Sequence, residues 1–296
     1  MLTFFRTNNQ LANLIHEKEI IGGIFYDETQ QGVHKDTERL QCRYCLKKIS
    51  RMDALTQHMR VCPTKKAKEQ SSRFTEFKIP SDREEHLELS FPLPFGERLV
   101  MFVVGRNGCG KSTFTQKILM NYLKVYKNRK IILFSTQEYD DKLDKVFKDK
   151  INRVELSDEF KENPFSLDEI RNSICIFDDV DSIRDKKLKE ALFKLRDDIL
   201  KNGRSHSGDR NEDIDIIITN HDVLGGHDTA TMIRESFFYV VFPKGSTSHA
   251  INQICKKYAG LKNDHIRRII DNKERYVVIH NTHPGFVLTE KEIFLT

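Results

Sequence analysis

The sequence predicts an α/β protein in which a mostly parallel central sheet is flanked by helices, with a small separate module ahead of it. Three observations carry this reading. Beyond residue 73, short apolar runs alternate with amphipathic patterns: RLVMFVVG, STFTQKILMNYLKVY, KIILFS, SICIFDDV, KKLKEALFKLRDDILKNG, IDIIITNH and FFYVVFP. Uninterrupted apolar runs of strand length fit strands buried on both faces, and helices between them imply βαβ units. A glycine-rich turn, GRNGCGKST, joins the first run to the first helical pattern, and a cluster of cysteines and histidine precedes them all.

The 296-residue chain carries 49 Lys and Arg against 44 Asp and Glu, a formal net charge of +5. With a mean hydropathy of −0.54, a mildly basic, soluble protein is expected. The charge balance alone does not establish nucleic-acid binding. No apolar run approaches the roughly 18 residues of a membrane helix, and MLTFFRTNNQLANL lacks the basic start and long apolar core of a secretory signal. A reducing compartment without disulfides is expected, because three of the six cysteines cluster at metal-ligand spacing while Cys109, Cys175 and Cys255 are scattered through predicted core elements.

Taken in chain order, residues 1–37 form a leader with some strand character in HEKEIIGGIFYDETQQG but no motif. Residues 38–64 hold Cys42, Cys45, His58 and Cys62, arranged as C-x-x-C, twelve residues, then H-x-x-x-C. Two cysteines on a tight knuckle and a His/Cys pair one helical turn apart can converge on a tetrahedral Zn²⁺. So short a module has almost no core of its own, and metal binding would hold it folded. Arg43, Lys47, Lys48, Arg51 and Arg60, with Lys65, Lys66 and Lys68, make the region basic, which suits nonspecific DNA contact. Protein docking and a purely structural role are the other readings, and a single finger reads only about three base pairs. Residues 65–72 read as a basic linker, so the main domain is assigned to 73–296. Its tail, ERYVVIHNTHPGFVLTEKEIFL, predicts two strands joined through Pro284 and Gly285.

Gly105, Gly110, Lys111 and Ser112 satisfy G-x-x-x-x-G-K-[ST], between a strand-like and a helical segment. Across Gly105, Arg106, Asn107, Gly108, Cys109, Gly110, Lys111, Ser112 and Thr113, such a phosphate loop points successive N–H groups at phosphate oxygens, helped by the positive end of the helix. Lys111 is expected to reach the β- and γ-phosphates of ATP, and the Ser112 hydroxyl to hold Mg²⁺. Mg²⁺ also wants a carboxylate at the end of a neighbouring buried strand, and SICIFDDVD supplies Asp178. Asp179 is a candidate base or water-positioning group, the plainer alternative being a strand-end carboxylate or helix cap. Asp181 is read as the cap of the following helix. IDIIITNHD predicts a strand beside the other two, and Asn220 or His221 at its end could sense the γ-phosphate or orient the attacking water, against a structural role for the histidine. Arg204, in the polar loop NGRSH after a long amphipathic helix, reads on its own as a solvated loop arginine. PKGSTSH, residues 243–249, is a candidate substrate contact or an ordinary surface turn.

An ABC- or SMC-like ATPase would carry an LSGGQ-like segment before the aspartate strand, where this chain has NPFSLDEIRNS. From about Phe74 to Glu290 the chain instead resembles the FtsK/HerA superfamily, specifically the poxvirus-type genome-packaging ATPases of large DNA viruses and their virophages. GRNGCGKST, KIILFSTQEYDDKLDK, ICIFDDVD, LKNGRSH, IIITNHD, MIRESFFYVVFPKGSTSHAINQICKKYAGL and YVVIHNTHPGFVL occur in that family's order. The resemblance implies a P-loop NTPase forming a homo-oligomeric ring, expected to be a hexamer, that translocates double-stranded DNA into a capsid using ATP and Mg²⁺. It further implies Arg204 as the residue that completes a neighbouring subunit's site, with Arg234 in TMIRESFF as rival, capsid or portal-vertex proteins as partners, and the viral factory in the infected cytoplasm, or the virion, as location. Many superfamily members have glutamine where this chain has Thr219, Asn220 and His221, and the cysteine module is no core part of the pattern. An ABC/SMC-like DNA-associated ATPase and a nucleotide-regulated, zinc-dependent DNA-binding adaptor are the alternatives.

Overall fold

The computed structural model describes residues 1–4, 9–16, 19–27, 75–221 and 227–296. The module 38–64 with Cys42, Cys45, His58 and Cys62, and the linker 65–72, lie outside the described residues. The leader supplies three strands, β1 (Leu2–Thr3), β2 (Gln10–His16) and β3 (Glu19–Tyr26), followed by β4 (Glu76–Lys78) and β5 (His86–Leu89). The main domain continues with β6 (Val100–Val104), α1 (Lys111–Val125), β7 (Lys130–Ser135), α2 (Asp144–Phe147), β8 (Ile151–Val154), α3 (Asp158–Glu162), β9 (Ser173–Asp178) and α4 (Lys186–Asn202). It ends with β10 (Ile214–Asn220), α5 (His227–Glu235), β11 (Phe238–Val241), α6 (Ser248–Asn252), α7 (Asn263–Ile270), β12 (Val277–His280), β13 (Phe286–Leu288) and β14 (Glu292–Leu295).

The central sheet has ten strands in the order β4-β14-β13-β12-β11-β6-β10-β9-β7-β8. The six strands from β11 to β8 run parallel, and β12, β13, β14 and β4 extend the sheet antiparallel. Every residue of β6, β9 and β10 is buried, as their unbroken apolar sequences predict. Alternate side chains serve opposite faces. Val100, Phe102, Val104, Cys175, Phe177, Ile216 and Ile218 meet Leu188, Leu192, Leu195 and Ile199 of α4, with α5, α6 and α7 in the same layer. Met101, Val103, Ile174, Ile176 and Ile217 face α1 through Phe114, Ile118, Leu119 and Tyr122. Among the described residues, no helix is long and apolar enough to cross a membrane.

Three local expectations change. Within the stretch 1–37, read as a leader with some strand character and no motif, β1, β2 and β3 join β5 in a second sheet of order β1-β3-β2-β5. Its Leu2, Leu11, Ala12 and Ile24 join the α1 side of the core. Only the β3 segment shows strand character in its own sequence, so burial against α1 and the main sheet decides the rest. The tail forms three strands rather than two, because Thr289 to Lys291 turns the chain again: Thr289 N donates to Glu292 O at 2.8 Å. The cap of α4 is Asp185, whose carboxylate accepts from Leu188 N at 3.1 Å; Asp181 instead lies in a short 3₁₀ turn over Val180–Ser182.

At the edge of the sheet where the parallel strands begin, Asp215 is wholly buried and accepts from Leu99 N at 2.6 Å and Arg129 Nη1 at 2.5 Å. Arg210 Nη2 donates to both its oxygens, at 2.7 and 2.8 Å, and the Tyr122 hydroxyl also donates to it. The carboxylate thus ties β10 to β6, to α1 and to the turn before β7. Removing it leaves the buried Arg129 guanidinium without its counter-charge. Asp215→Ala is expected to lose about 3–5 kcal/mol of stability in urea unfolding.

Candidate active site

The chain leaves β6 at Val104 and turns through residues 105–110 into α1. Gly108 (φ 76°) and Gly110 (φ 110°) take left-handed backbone angles that strain any other residue. Gly105 is held by contact instead: a Cβ there would lie 2.6 Å from Cys109 Sγ and 2.9 Å from Phe242 Cδ2. Backbone bonds fix the loop, from Gly105 N to Asn220 O at 3.2 Å and from Arg106 N to Gly245 O at 3.0 Å. No side chain caps the first turn of α1, so its N–H groups are left for an anion. Arg106, Asn107 and Gly108 are exposed, Cys109, Gly110, Ser112 and Thr113 half-buried, and Lys111 buried.

Lys111 Nζ donates to Gly105 O at 3.0 Å and to His221 Nδ1 at 3.0 Å, and lies 3.5 Å from Asp179 Oδ1. An ammonium has only donors, so Nδ1 accepts and the imidazole proton belongs on Nε2, 3.0 Å from Asp179 Oδ2. Lys111, His221 and Asp179 therefore close a ring of polar contacts over the loop. Asp179 itself adopts left-handed angles (φ 49°, ψ 34°), which aspartate tolerates better than most residues. Asp178, 4% exposed, accepts from Thr219 Oγ1 at 2.8 Å and Ser135 Oγ at 3.4 Å. Thr219 Oγ1 also accepts from Asp179 N at 3.1 Å, joining the two aspartates. Burial pushes the Asp178 carboxyl above its ordinary range, opposed by the Thr219 hydroxyl and reinforced by the charges of Asp179 and Asp140. A hydroxyl and a carboxylate are the oxygen donors a hard divalent cation takes, so Ser112 and Asp178 fit Mg²⁺ chemically.

The strand bearing Asp178 does not neighbour the loop strand, as the sequence reading had it. β10 lies between them, so Thr219 pairs with Val103 on one side and Asp178 on the other. Asn220 is buried, its carbonyl occupied by Gly105 N. Arg204 is exposed and stands away from the site: Ile214 N donates to Gly203 O at 2.8 Å, which places Arg204 where β10 begins. Seven residues of β10, about 3.3 Å each, separate it from the loop end of the sheet. Arg234 also lies at that far edge, exposed and paired with Glu235 at 3.1 Å. Residues 243–249, considered for substrate contact, abut the phosphate loop through Gly245, where a Cβ would come 2.3 Å from Cys109 Cβ. Among the described residues, no three or more His, Cys, Asp or Glu group to hold a metal ion.

Sequence reasoning missed Thr219 and Ser135 as parts of the site and took Gly245 only within a candidate substrate-contact segment. A small polar residue ending an otherwise apolar run was the available signal for the first two. Thr219→Val keeps the volume and removes the hydroxyl between the two aspartates. Nucleotide affinity is expected to hold while turnover falls about ten- to hundred-fold, checked by binding titration alongside steady-state phosphate release.

No family model matches the sequence. The chain is 29% identical over 196 residues to the uncharacterized protein V3 of Sputnik virophage, covering 65% of this chain and 75% of that protein. Among solved structures it is similar to the genome packaging NTPase B204 of Sulfolobus turreted icosahedral virus 2 bound to AMP. That match has 15% identity and a TM-score of 0.42, over 66% of this chain and 98% of the other. It is also similar to the pCW3 conjugation coupling protein TcpA, at 12% identity and a TM-score of 0.46, over 74% of this chain and 66% of that one. The chain is a relative of a virophage protein, in agreement with its resemblance to the packaging ATPases of large DNA viruses and their virophages.

Proposed function

We propose that the chain hydrolyses ATP to translocate double-stranded DNA, packaging a viral genome into its capsid. The observation that carries this is the Lys111, His221 and Asp179 ring, which converges over a glycine loop at one end of a parallel sheet. Amides of the loop hold the phosphates, Lys111 neutralises the β- and γ-oxygens, and Ser112 with Asp178 would hold Mg²⁺. When bound, that cation supplies positive charge against the oxygens that gain negative charge as the terminal phosphate departs. Asp179 orients the attacking water and His221 keeps its carboxylate in place, with Thr219 fixing both aspartates. Arg204 is far from its own subunit's site, which suits a residue given to a neighbour in a ring and not one acting in cis.

Hydrolysis is expected to rise with protein concentration and with duplex DNA. Asp179→Asn and Arg204→Ala should each bind ATP and lose turnover, the arginine variant by about 10³- to 10⁵-fold. Mixing the two variants should restore part of the activity, since mixed rings contain junctions with one intact Asp179 and one intact Arg204. ATP binding with no turnover under any condition would instead support the nucleotide-regulated adaptor, and normal turnover in Arg204→Ala would move its role elsewhere.

Zn²⁺ on Cys42, Cys45, His58 and Cys62 belongs to the same proposal, with the basic residues around it contributing nonspecific DNA affinity. Elemental analysis of the purified chain is expected to give about one zinc per subunit, lost when Cys42 and Cys45 are both replaced by serine. DNA affinity should then fall and show a shallower dependence on salt.

A further inference from the structure

The strand order limits how a triphosphate held by the loop could lie across the site. Asp178 and Asp179 end β9 and His221 follows β10, so the terminal phosphate points to that side of the loop strand. With the terminal phosphate on that side, the nucleoside end would leave the N-terminus of α1 on the other, where β11 and then β12 follow the loop strand in sheet order. A hollow of about 210 Å³ lies there, bounded by Thr113, Gln116, Met120, Arg275, Tyr276 and Glu290. It adjoins the loop directly, since a Cβ on Gly110 would stand 3.7 Å from Arg275 Cδ. A larger hollow of about 700 Å³, lined by residues including Ser135, Arg153 and Arg184, lies past β9. A nucleoside there would point the terminal phosphate away from both aspartates.

We propose that the hollow beside the first turns of α1 takes the base of the nucleoside triphosphate, stacked under the Arg275 guanidinium. The inference rests on the phosphate loop holding the triphosphate. Arg275 is exposed and has no carboxylate partner among the described residues, so its planar group is available to cover an aromatic ring. Met120, half exposed on α1, supplies a polarisable wall that adapts to a flat ligand. The floor is rigid: Lys117 Nζ donates to the Tyr276 hydroxyl at 3.2 Å and to Glu290 Oε1 at 3.3 Å, and pairs with Glu88 at 3.2 Å. The volume is below the roughly 300–1,000 Å³ of pockets that enclose a drug-sized ligand, as suits a base whose phosphates lie outside on the loop.

Two probes separate base from phosphate: Mg·ATP and magnesium inorganic tripolyphosphate, each titrated calorimetrically into the full chain. Arg275→Ala is expected to weaken ATP about three- to thirty-fold and leave tripolyphosphate unchanged. Met120→Trp, which fills the hollow from an exposed position, should do the same. Equal losses for both probes in Arg275→Ala would overturn the proposal by making Arg275 a phosphate contact. Unchanged ATP affinity in both variants would overturn it by leaving the hollow without a role. Lys111→Ala should weaken both probes together; if it weakens neither, the phosphate-loop reading falls and the base site with it.

Discussion

The site depends on the register of β10, hydrogen-bonded between the strand that enters the phosphate loop and the strand that ends in two aspartates. That register sets Thr219 beside Asp178 and brings the Asn220 carbonyl to Gly105 N. A shift of one residue would turn the Thr219 hydroxyl to the opposite face of the sheet. A shift of two would carry it about 6.6 Å along the strand, beyond hydrogen-bond reach of either aspartate. Burial of all seven β10 side chains specifies the alignment, because any slip moves large apolar groups out of matched positions.

The same strand holds α1 at both ends. Asp215 and Thr219 are four residues apart on β10 and so share a face. Ile217 lies between them in the core that α1 covers. Near the C-terminus of α1, Tyr122 donates to Asp215; at its N-terminus, Lys111 meets His221 just past the end of β10. The phosphate loop is therefore strung between two elements whose separation is fixed twice. Its outer side is fixed again by Gly245, which accepts from Arg106 N and leaves no room for a side chain against Cys109. A loop confined on three sides keeps its amides oriented before ligand arrives, and such preorganisation favours charge stabilisation over rearrangement.

What the sequence disclosed and what it hid divide along physical lines. Unbroken apolar runs such as VMFVV and SICIF announce fully buried strands, and G-x-x-x-x-G-K-S announces its own backbone geometry. Asp178, Asp179 and His221 were legible because charged or titratable residues ending such runs have few structural reasons to be there. Strand order was legible in part: IDIIITN is expected beside both other strands and does pair with each, but nothing local in it says that it separates the loop strand from the strand bearing Asp178. Thr219 was hidden for the same reason, as a hydroxyl between carboxylates is visible only once three strands are aligned. EIIGGIFY shows some strand character, but the sheet it builds with QLANLIH escaped because these strands owe their pairing to the surface they cover more than to their own pattern.

The cysteine-bearing stretch has an anchor at each end. Before it, Tyr26 at the end of β3 pairs with Leu2 of β1. After it, Phe77 of β4 takes the Phe4 ring edge-on at 5.2 Å, and Thr75 O accepts from Leu295 N at 2.9 Å. A load applied to that stretch is shared between two sheets, one of them continuous with the strands that carry the site, where a terminal appendage would pull on a single tether.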